Sequence, residues 1–338
     1  MTSQQKDNNT LLQEIGNHLT GYAIPTPQPI IGAETIQLIV MREILDYTVL
    51  RTEETRELNT VVTPTSVTKG EDMIRVAFLA SKQKAAESRE LERMLRSAVN
   101  TANSQIQNND QKLKIKECFL KDNLCLNCPR CGLYGATSTE SGKGNAPNIK
   151  HRIEYSTAFS LLSFGDVESS VTFNGIDDAL QTTGSPKKGF ALGTRYAVLP
   201  AKLFPSVITL RGVTKEEFVL VIKTLLATKS YGAETRVGGD VRNHILGIAL
   251  GWEEVITALE LTLELFDVKD SQITEFAVKT ILDKYKGYAG NKDRVNILEA
   301  TKVNSLVSNA QDVILDKVFI ETIYKHIADY RSIQTSRG

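Results

Sequence analysis

The sequence contains no apolar run long enough to cross a membrane and no N-terminal signal for secretion. Its stretch Ile36–Leu50 is interrupted by Arg42, Glu43 and Asp46, whereas a membrane span needs about 18 apolar residues. Net charge is absent as well, because 40 Lys and Arg balance 40 Asp and Glu. These features predict a soluble, cytoplasmic protein that does not bind membranes. They exclude a chain that is cationic throughout but permit a local basic patch.

Recognisable catalytic motifs are missing too. The sequence has no GxSxG, no HExxH and no paired carboxylates at a catalytic spacing, which are patterns typical of hydrolases. The four histidines, His18, His151, His244 and His326, are scattered along the chain. The sequence therefore does not favour nucleophilic or metal-hydrolytic catalysis.

Cysteine is scarce and confined to one segment, Cys118-x6-Cys125-x2-Cys128-x2-Cys131. A disulfide framework would distribute its cysteines along the chain. Four thiolates can close a tetrahedral site with no open position, so we expect Cys118, Cys125, Cys128 and Cys131 to bind a structural zinc ion. Three alternatives stay open: an iron–sulfur cluster, which also uses CxxCxxC spacing, a site in which His151 replaces one cysteine, and simple buried thiols.

The chain divides by composition into four parts. With 338 residues, 41% of them hydrophobic, it is long enough for two domain-sized units at roughly 150 residues each. Residues 1–34 predict a loosely packed N-terminal arm, and residues 252–338 predict a helical C-terminal part. Residues 35–99 and 153–251 predict an α+β core in βαββαβ order, the ferredoxin-like topology of the RNA-recognition motif. Residues 100–152 predict a zinc-binding insertion outside the main core.

Local patterns predict several elements of this core. Ile36–Arg51 is rich in β-branched residues and predicts one long strand, and the threonine-rich segment Arg51–Asp72 predicts a loop. Lys82–Val99 predicts an amphipathic helix. Its apolar face consists of Leu91, Met94, Leu95 and Ala98, and its opposite face is a basic stripe of Lys82, Arg89, Arg93 and Arg96.

Two helices are predicted further along the chain. Thr214 and Glu217 form a T-x-x-E capping box that predicts the start of a helix. Its buried face would consist of Phe218, Val221, Ile222, Leu225 and Leu226. In the C-terminal part, helical spacing predicts an apolar face made of Ile273, Phe276, Ala277 and Ile281.

Charge is unevenly distributed along the chain. Between Ala179 and Lys215 there are six basic residues and no acidic one, and residues 112–152 hold eight basic residues against three acidic ones. Trp252–Glu321 instead holds thirteen acidic and eight basic residues. A basic middle in a neutral chain predicts a polyphosphate partner, since Lys and Arg replace condensed counterions. The six residues of the acid-free block are Lys187, Lys188, Arg195, Lys202, Arg211 and Lys215.

Two local features could contact phosphates. Ser81, Lys82 and Lys84 lie in the first turn of the predicted helix, where N–H groups and the helix dipole favour an anion. The segment YGAETRVGGDVR brings glycines, which let the backbone approach a ligand, together with arginines, which bind phosphate. The residues concerned are Gly232, Gly238, Gly239, Arg236 and Arg242. A plain connector is an equally good interpretation of this loop.

Several segments together resemble one family. RVAFLASKQKAAESRELERMLR is similar to the strand–Ser–Lys–helix element of CRISPR repeat-associated (RAMP) proteins, and SVITLRGVTKEEFVLVIKTLLATKSYGAETRVGG to their second strand–helix with its glycine-rich loop. The cysteine insertion and the run FNGIDDAL…GFALGTRYAVLPAKLFP resemble the backbone subunit of the type I-D Cascade complex. The likeness extends over about residues 30–330.

The resemblance implies a subunit that polymerises along CRISPR RNA with further copies of itself and other Cascade subunits, and holds the guide for pairing with target DNA. It implies phosphate contacts at Ser81, Lys82 and Lys84 and along the glycine-rich loop. Lys187 and Lys188 would lie at the tip of a "thumb" hairpin, and Arg195 would belong to the same RNA-binding surface.

The related type III backbone proteins cut RNA with an aspartate in the loop after the first strand. Here the corresponding segment contains Glu53, Glu54, Glu57, Glu71 and Asp72, none of which stands out as that aspartate. We therefore expect no enzymatic activity. The alternatives are a metal-dependent RNA-processing endonuclease of the same superfamily and an iron–sulfur redox protein.

Overall fold

The computed structural model describes residues 6–52, 57–108, 111–115, 118–119, 124–137, 148–173, 193–235, 238–268 and 272–336. In chain order the helices are α1 (Asn8–His18), α2 (Ala80–Ser104), α3 (Pro129–Tyr134), α4 (Phe164–Val167), α5 (Lys215–Ala227), α6 (Ala258–Phe266), α7 (Glu275–Lys286), α8 (Ala300–Asp312) and α9 (Lys317–Ser336). The strands are β1 (Thr35–Ile44), β2 (Thr60–Pro64), β3 (Asp72–Phe78), β4 (Ile153–Tyr155), β5 (Ala158–Phe159), β6 (Glu168–Phe173), β7 (Gly193–Val198), β8 (Leu203–Arg211), β9 (Val241–Gly251) and β10 (Asn296–Ile297).

The largest sheet has five strands in the order β10-β9-β1-β8-β4, and every neighbouring pair is antiparallel. In its centre Ile36 lies between Leu210 of β8 and Leu250 of β9. Two smaller antiparallel sheets have the orders β2-β3-β5 and β6-β7. The described chain is thus a mixed α+β protein built on antiparallel sheets.

Helices cover both faces of the central strand. Ile36, Leu38 and Val40 pack in one hydrophobic cluster with α2, α5 and α8, whereas Ile39 and Met41 pack in a second cluster with α6 and α7. Successive side chains of a strand point to opposite faces. A strand covered on both sides can therefore carry apolar residues at successive positions, which explains the continuous apolar run Leu38–Met41 of β1.

Two of the local predictions are confirmed. The amphipathic helix forms as α2, and Leu91 and Leu95 are buried on its inner face while Arg89, Arg93 and Arg96 are exposed. Both hydrogen bonds of the predicted capping box form at the start of α5. The Thr214 hydroxyl accepts from Glu217 N at 3.2 Å, and Glu217 Oε2 accepts from Thr214 N at 3.0 Å.

The prediction of a loosely packed N-terminal arm is wrong for helix α1 (Asn8–His18). Asp7 caps helix α1 by accepting from Thr10 N at 2.7 Å. Leu11 and Ile15 on its inner face are buried in the main hydrophobic cluster. These residues recur at helical spacing within a polar segment, so that one apolar stripe is enough to dock the helix.

The strand and loop boundaries predicted for residues 36–72 are also wrong. Strand β1 ends at Ile44, and the chain then runs beside other segments through isolated pairings of Thr48 with Val198 and of Val49 with Ala233. The expected loop contains strand β2, because Thr and Val are β-branched and favour a pleated surface even where the sequence is polar.

In the C-terminal part, the predicted apolar face of α7 is only partly correct. Val278, Ile281 and Leu282 are buried, whereas Phe276 is 77% exposed and Ile273 precedes the helix. The helix is rotated so that a different set of positions at the same spacing meets β9. Among the described residues, no helix is both long enough and apolar enough to cross a membrane.

One buried ion pair joins separate parts of the molecule. The Arg152 guanidinium donates to both carboxylate oxygens of Glu217, with Nη1 to Oε2 at 2.7 Å. It also donates to the carbonyl oxygens of Gly132 at 3.2 Å and Gly212 at 2.8 Å, and it stacks over the Tyr330 ring. The side chains of Arg152 and Glu217 are 0% and 1% exposed, so this contact connects the cysteine segment, α5 and α9 inside the protein.

Candidate metal centre and cationic cleft

The four cysteines form one buried cluster. Their sulfur atoms all lie within 4.8 Å of one another, and His151 is not a member of the group. The backbone donates to three of the sulfur atoms: Cys125 N to Cys118 at 3.5 Å, Asn127 N to Cys125 at 3.4 Å, and Cys131 N to Cys128 at 3.4 Å. Four convergent sulfur atoms with N–H donors are a donor set that can hold one metal ion.

The electrostatics of the cluster favour a cation. Hydrogen bonds with Cys125 and then Cys128 lower the pKa of Cys118 to about 7. Hydrogen bonds with Cys118 are the largest cause that raises the pKa values of Cys125 and Cys128, because buried thiols in contact cannot all ionise without a counter-charge. A bound metal ion would supply that charge and deprotonate all four.

The cysteine segment is not separate from the main core, contrary to the sequence prediction. Leu133 and Tyr134 of α3 belong to the main hydrophobic cluster. The Arg96 guanidinium of α2 donates to Cys118 O at 2.7 Å, and Tyr330 of α9 packs against the cysteines. A Cβ atom on Gly132 would lie 2.3 Å from Ile327 Cδ1, so the segment and α9 meet closely.

A cationic cleft lies between the start of α2 and the glycine-rich loop. It has a volume of about 410 Å³. Its cations are Arg51, Lys82 and Arg89, and Tyr231 and Gly232 of the loop line the opposite side. Among the described residues, neither Lys82 nor Arg89 has an ion-pair partner, whereas Arg51 Nη2 lies 3.2 Å from Glu234 Oε1.

The structure brings only some of the predicted phosphate-binding residues to this cleft. Lys82 lines the cleft, and its chain neighbour Ser81 is exposed. Lys84 has a different neighbour: burial and the nearby charge of Arg130 lower its pKa. Lys84 also lowers the pKa of His151, after burial, so it belongs to a cationic region beside the cysteine segment.

Several predicted cations are neutralised by carboxylates. Arg195 Nη1 donates to Glu234 Oε2 at 2.5 Å. Arg211 bonds Glu154 at 3.0 Å and Glu254 at 2.7 Å. Arg242 lies 3.7 Å from Glu43, and Lys215 lies 3.9 Å from Glu216. Of the acid-free block, Arg195, Arg211 and Lys215 therefore do not form an unpaired patch. Lys187, Lys188 and Arg236 of the loop lie outside the described residues.

The loop glycines are required by the protein's own backbone. A Cβ atom on Gly238 would lie 2.6 Å from Tyr47 O, and one on Gly239 would lie 2.4 Å from Tyr231 O. Gly239 also has φ +90, a conformation that favours glycine. These contacts close the loop on itself and on residues 47–49, so close packing inside the chain accounts for both glycines.

Of the three cleft cations, the sequence marks Lys82 as a phosphate contact and places Arg89 on the same basic stripe of α2, without assigning Arg89 to a site. Arg89 follows Lys82 by two helical turns, the spacing that puts both side chains on one face. Arg51 gave no signal, because its place depends on where β1 ends. Beneath the cleft, Arg42 is fully buried with its Nη1 at 2.9 Å from Glu87 Oε1.

These features define a mixed α+β protein with antiparallel sheets, a four-cysteine cluster and a cationic cleft. The model of the Csc2 CRISPR family matches residues 24–333, and the chain belongs to that family. No curated protein sequence matches the chain.

A solved structure shows the same fold, and two further chains have a lower similarity. A crystal structure of Csc2 from Thermofilum pendens is 18% identical with a TM-score of 0.65, covering 97% of this chain and 98% of that chain. A chain of a CRISPR RNA-guided surveillance complex in a pre-nicking state is 10% identical with a TM-score of 0.48, covering 82% of this chain and all of its own. A chain of a further CRISPR RNA-guided surveillance complex is 11% identical with a TM-score of 0.46, covering 81% of this chain and 99% of that chain.

Proposed function

We propose that this protein is a non-catalytic backbone subunit of a type I-D CRISPR interference (Cascade) complex. Several copies would bind along one CRISPR RNA, beside other Cascade subunits, and hold the guide for pairing with target DNA. Membership of the Csc2 CRISPR family supports this assignment. The observation that carries the RNA-binding part is the cleft in which Lys82 and Arg89 face the glycine-rich loop.

The strand order supports a ferredoxin-like core for this subunit. Taking β1, β4, β8 and β9 as the four strands of a βαββαβ unit, with α2 and α5 as its helices, the observed order is fourth, first, third, second. That antiparallel arrangement is the one a split βαβ unit requires. The division into an N-terminal part, a core, a cysteine insertion and a helical C-terminal part remains our proposal for its domains.

The chemistry of the cleft suits a sequence-independent contact. Lysine and arginine bind phosphate oxygens by charge, and such contacts position a nucleic acid without reading its bases. Arg195, Arg211 and Arg242 pair with carboxylates, which makes them less available to bind RNA phosphates. Among the described residues, phosphate binding is therefore concentrated at the start of α2, next to the glycine-rich loop. Lys187 and Lys188 remain our proposal for a second contact, at the tip of a thumb hairpin.

The cysteine cluster fits a single zinc ion. A tetrahedral ion with Zn–S bonds of about 2.3 Å holds its sulfur atoms roughly 3.8 Å apart, and Cys118 and Cys131 are 3.5 Å apart here. A four-iron cluster is larger than one ion and would hold its cysteine sulfur atoms farther apart. We propose that Cys118, Cys125, Cys128 and Cys131 hold zinc, which has a structural role and takes no part in catalysis.

The nucleic acid that accompanies the purified protein tests the proposal most directly. We expect RNA of uniform length, detected by absorbance ratio and end-labelling, and no cleavage when the RNA-free protein is incubated with repeat RNA and divalent metal. Accumulation of cut product would instead support the processing endonuclease. Protein that neither carries nor binds RNA would contradict the proposal.

Reversing the charges of the cleft should weaken RNA binding. Lys82→Glu combined with Arg89→Glu is expected to lower the affinity for single-stranded RNA about 100-fold at moderate salt. Each lost phosphate contact should make the slope of log K against log salt shallower by about 0.7. Fluorescence anisotropy over a salt series measures both quantities.

The matched control is Arg93→Glu combined with Lys317→Glu, which changes the net charge equally at exposed sites outside the cleft. The control should lose little affinity and keep the native slope. If both double variants behave alike, long-range charge and not the cleft governs binding.

A further inference from the structure

A hydrogen-bonded network is buried beneath the cationic cleft. Its centre is Glu87 of α2, which is 1% exposed. Glu87 Oε1 accepts from the Tyr231 hydroxyl at 2.9 Å and lies 2.9 Å from Arg42 Nη1. Glu87 Oε2 accepts from the Tyr155 hydroxyl at 2.5 Å. The carboxylate of Glu87 thus links α2 to β1, to β4 and to the glycine-rich loop.

Tyr231 is the residue through which the loop joins this network. Its hydroxyl also accepts from Arg42 Nη1 at 3.1 Å and from Asn243 Nδ2 at 2.9 Å. Its ring stands edge-on to Phe78, with centroids 5.5 Å apart, and lies against the Arg42 guanidinium. Among the described residues from Tyr231 to Asp240, Tyr231 is the only one with a buried side chain.

The network and the cleft lie on opposite sides of the same two segments. On α2, Glu87 points inward while Lys82 and Arg89 line the cleft. In the loop, the Tyr231 hydroxyl points inward while the following Gly232 lines the cleft. The width of the cleft is therefore set by the distance between α2 and the loop, which the bond from Tyr231 to Glu87 fixes.

The geometry points to the Tyr231 hydroxyl as a positioning group for RNA. The hydroxyl holds the loop against Glu87. Arg51 is joined to the loop by its ion pair with Glu234, so the hydroxyl sets the distance between Arg51 and the two cations of α2, Lys82 and Arg89. This inference rests on the proposed function, because it assigns a role within the proposed RNA-binding cleft. Cations that are already held at the right spacing bind a phosphate chain more tightly, because binding does not have to include the entropy cost of ordering a loop.

Tyr231→Phe tests this inference with little change in packing, because the ring and its contacts remain. We expect RNA affinity to fall about tenfold and the slope of log K against log salt to become shallower by about 0.7, the value for one lost phosphate contact. A purely structural hydroxyl would lower the thermal midpoint but leave that slope at the native value.

Tyr134→Phe is the matched control. The Tyr134 hydroxyl belongs to the far end of the same network, 3.2 Å from the Tyr155 hydroxyl, and it does not contact the loop. This variant should lose thermal stability and keep native affinity and slope. Equal affinity and slope in Tyr231→Phe, Tyr134→Phe and the native protein would overturn the inference.

A second variant displaces the loop without touching the network. Gly232 has φ +82, and a Cβ atom there would lie 2.6 Å from Val49 O, so Gly232→Ala should shift the loop at the cleft and make the slope shallower in the same way. A native slope in Gly232→Ala would also overturn the inference. The charge-reversal variants distinguish a failure of this inference from a failure of the proposed function. If they weaken RNA binding while Tyr231→Phe does not, the proposed function stands and the positioning role is wrong.

Discussion

Replacing Cys131 with serine is expected to abolish metal binding and to loosen the C-terminal half of α9 from the core. Cys131 is fully buried at the centre of the cluster, and a three-sulfur site would leave one coordination position without a thiolate. A bound ion would supply folding free energy, on the order of 10 kcal/mol in isolated zinc-finger peptides. Since Tyr330 packs on the cysteines and Ile327 on Gly132, the loss should reach α9.

Elemental analysis and limited proteolysis measure the two effects. We expect one zinc ion per native chain and none in Cys131→Ser, together with rapid tryptic cleavage at Lys325 and Arg331 of α9 in the variant only. His151→Gln is the control for the open alternative ligand, and it should keep the full zinc content. A Cys131→Ser protein with native metal content and native protease resistance would show that the thiols are only packing groups.

Replacing Glu217 with glutamine should destabilise the protein by about 3 kcal/mol, because the buried Arg152 would then lack its anion. Glutamine can still accept the hydrogen bond from Thr214 N, since a capping box uses Glu or Gln. The substitution therefore separates the ion pair from the helix cap. Urea denaturation, with the midpoint and slope fitted separately, gives the change in free energy of unfolding.

Glu260→Gln is the matched control for this prediction. Thr257 and Glu260 form the same capping box at the start of α6, with Glu260 Oε2 at 2.9 Å from Thr257 N, but no arginine pairs with Glu260 among the described residues. At this exposed site the change should be under about 0.5 kcal/mol. Equal losses at both positions would mean that the cap, and not the buried charge pair, stabilises α5.

The parts of the fold that could be predicted from the sequence depend on short-range signals. The capping box of Thr214 and Glu217 spans one turn, and the α2 stripe repeats within one helix, so both were found. The faces of α7 were misassigned because two sets of positions fit the same spacing, and only the position of β9 selects Val278 over Phe276. The cysteine cluster was found because its members are adjacent in sequence.

The candidate cleft could be predicted only in part, because its other half is assembled from distant segments. Lys82 was marked by the helix start, yet Arg51 reaches the cleft only because β1 stops at Ile44. Arg42, Glu87 and Tyr231 meet through tertiary structure, and each alone looks like an ordinary strand, helix or loop residue. Pairing of Arg195 with Glu234 was likewise invisible in the sequence, where Arg195 counts as one more cation of the basic block.

The position of β1 has a consequence for how the chain is made. This strand lies in the middle of its sheet, but its neighbours, β8 and β9, begin only at Leu203 and Val241. At roughly 5–20 residues per second, translation takes about 10–35 s to bring Leu210 out after Ile36. Throughout that interval a strand with six apolar residues among its ten stays without its sheet neighbours, and apolar surface exposed in this way favours aggregation unless a chaperone covers it.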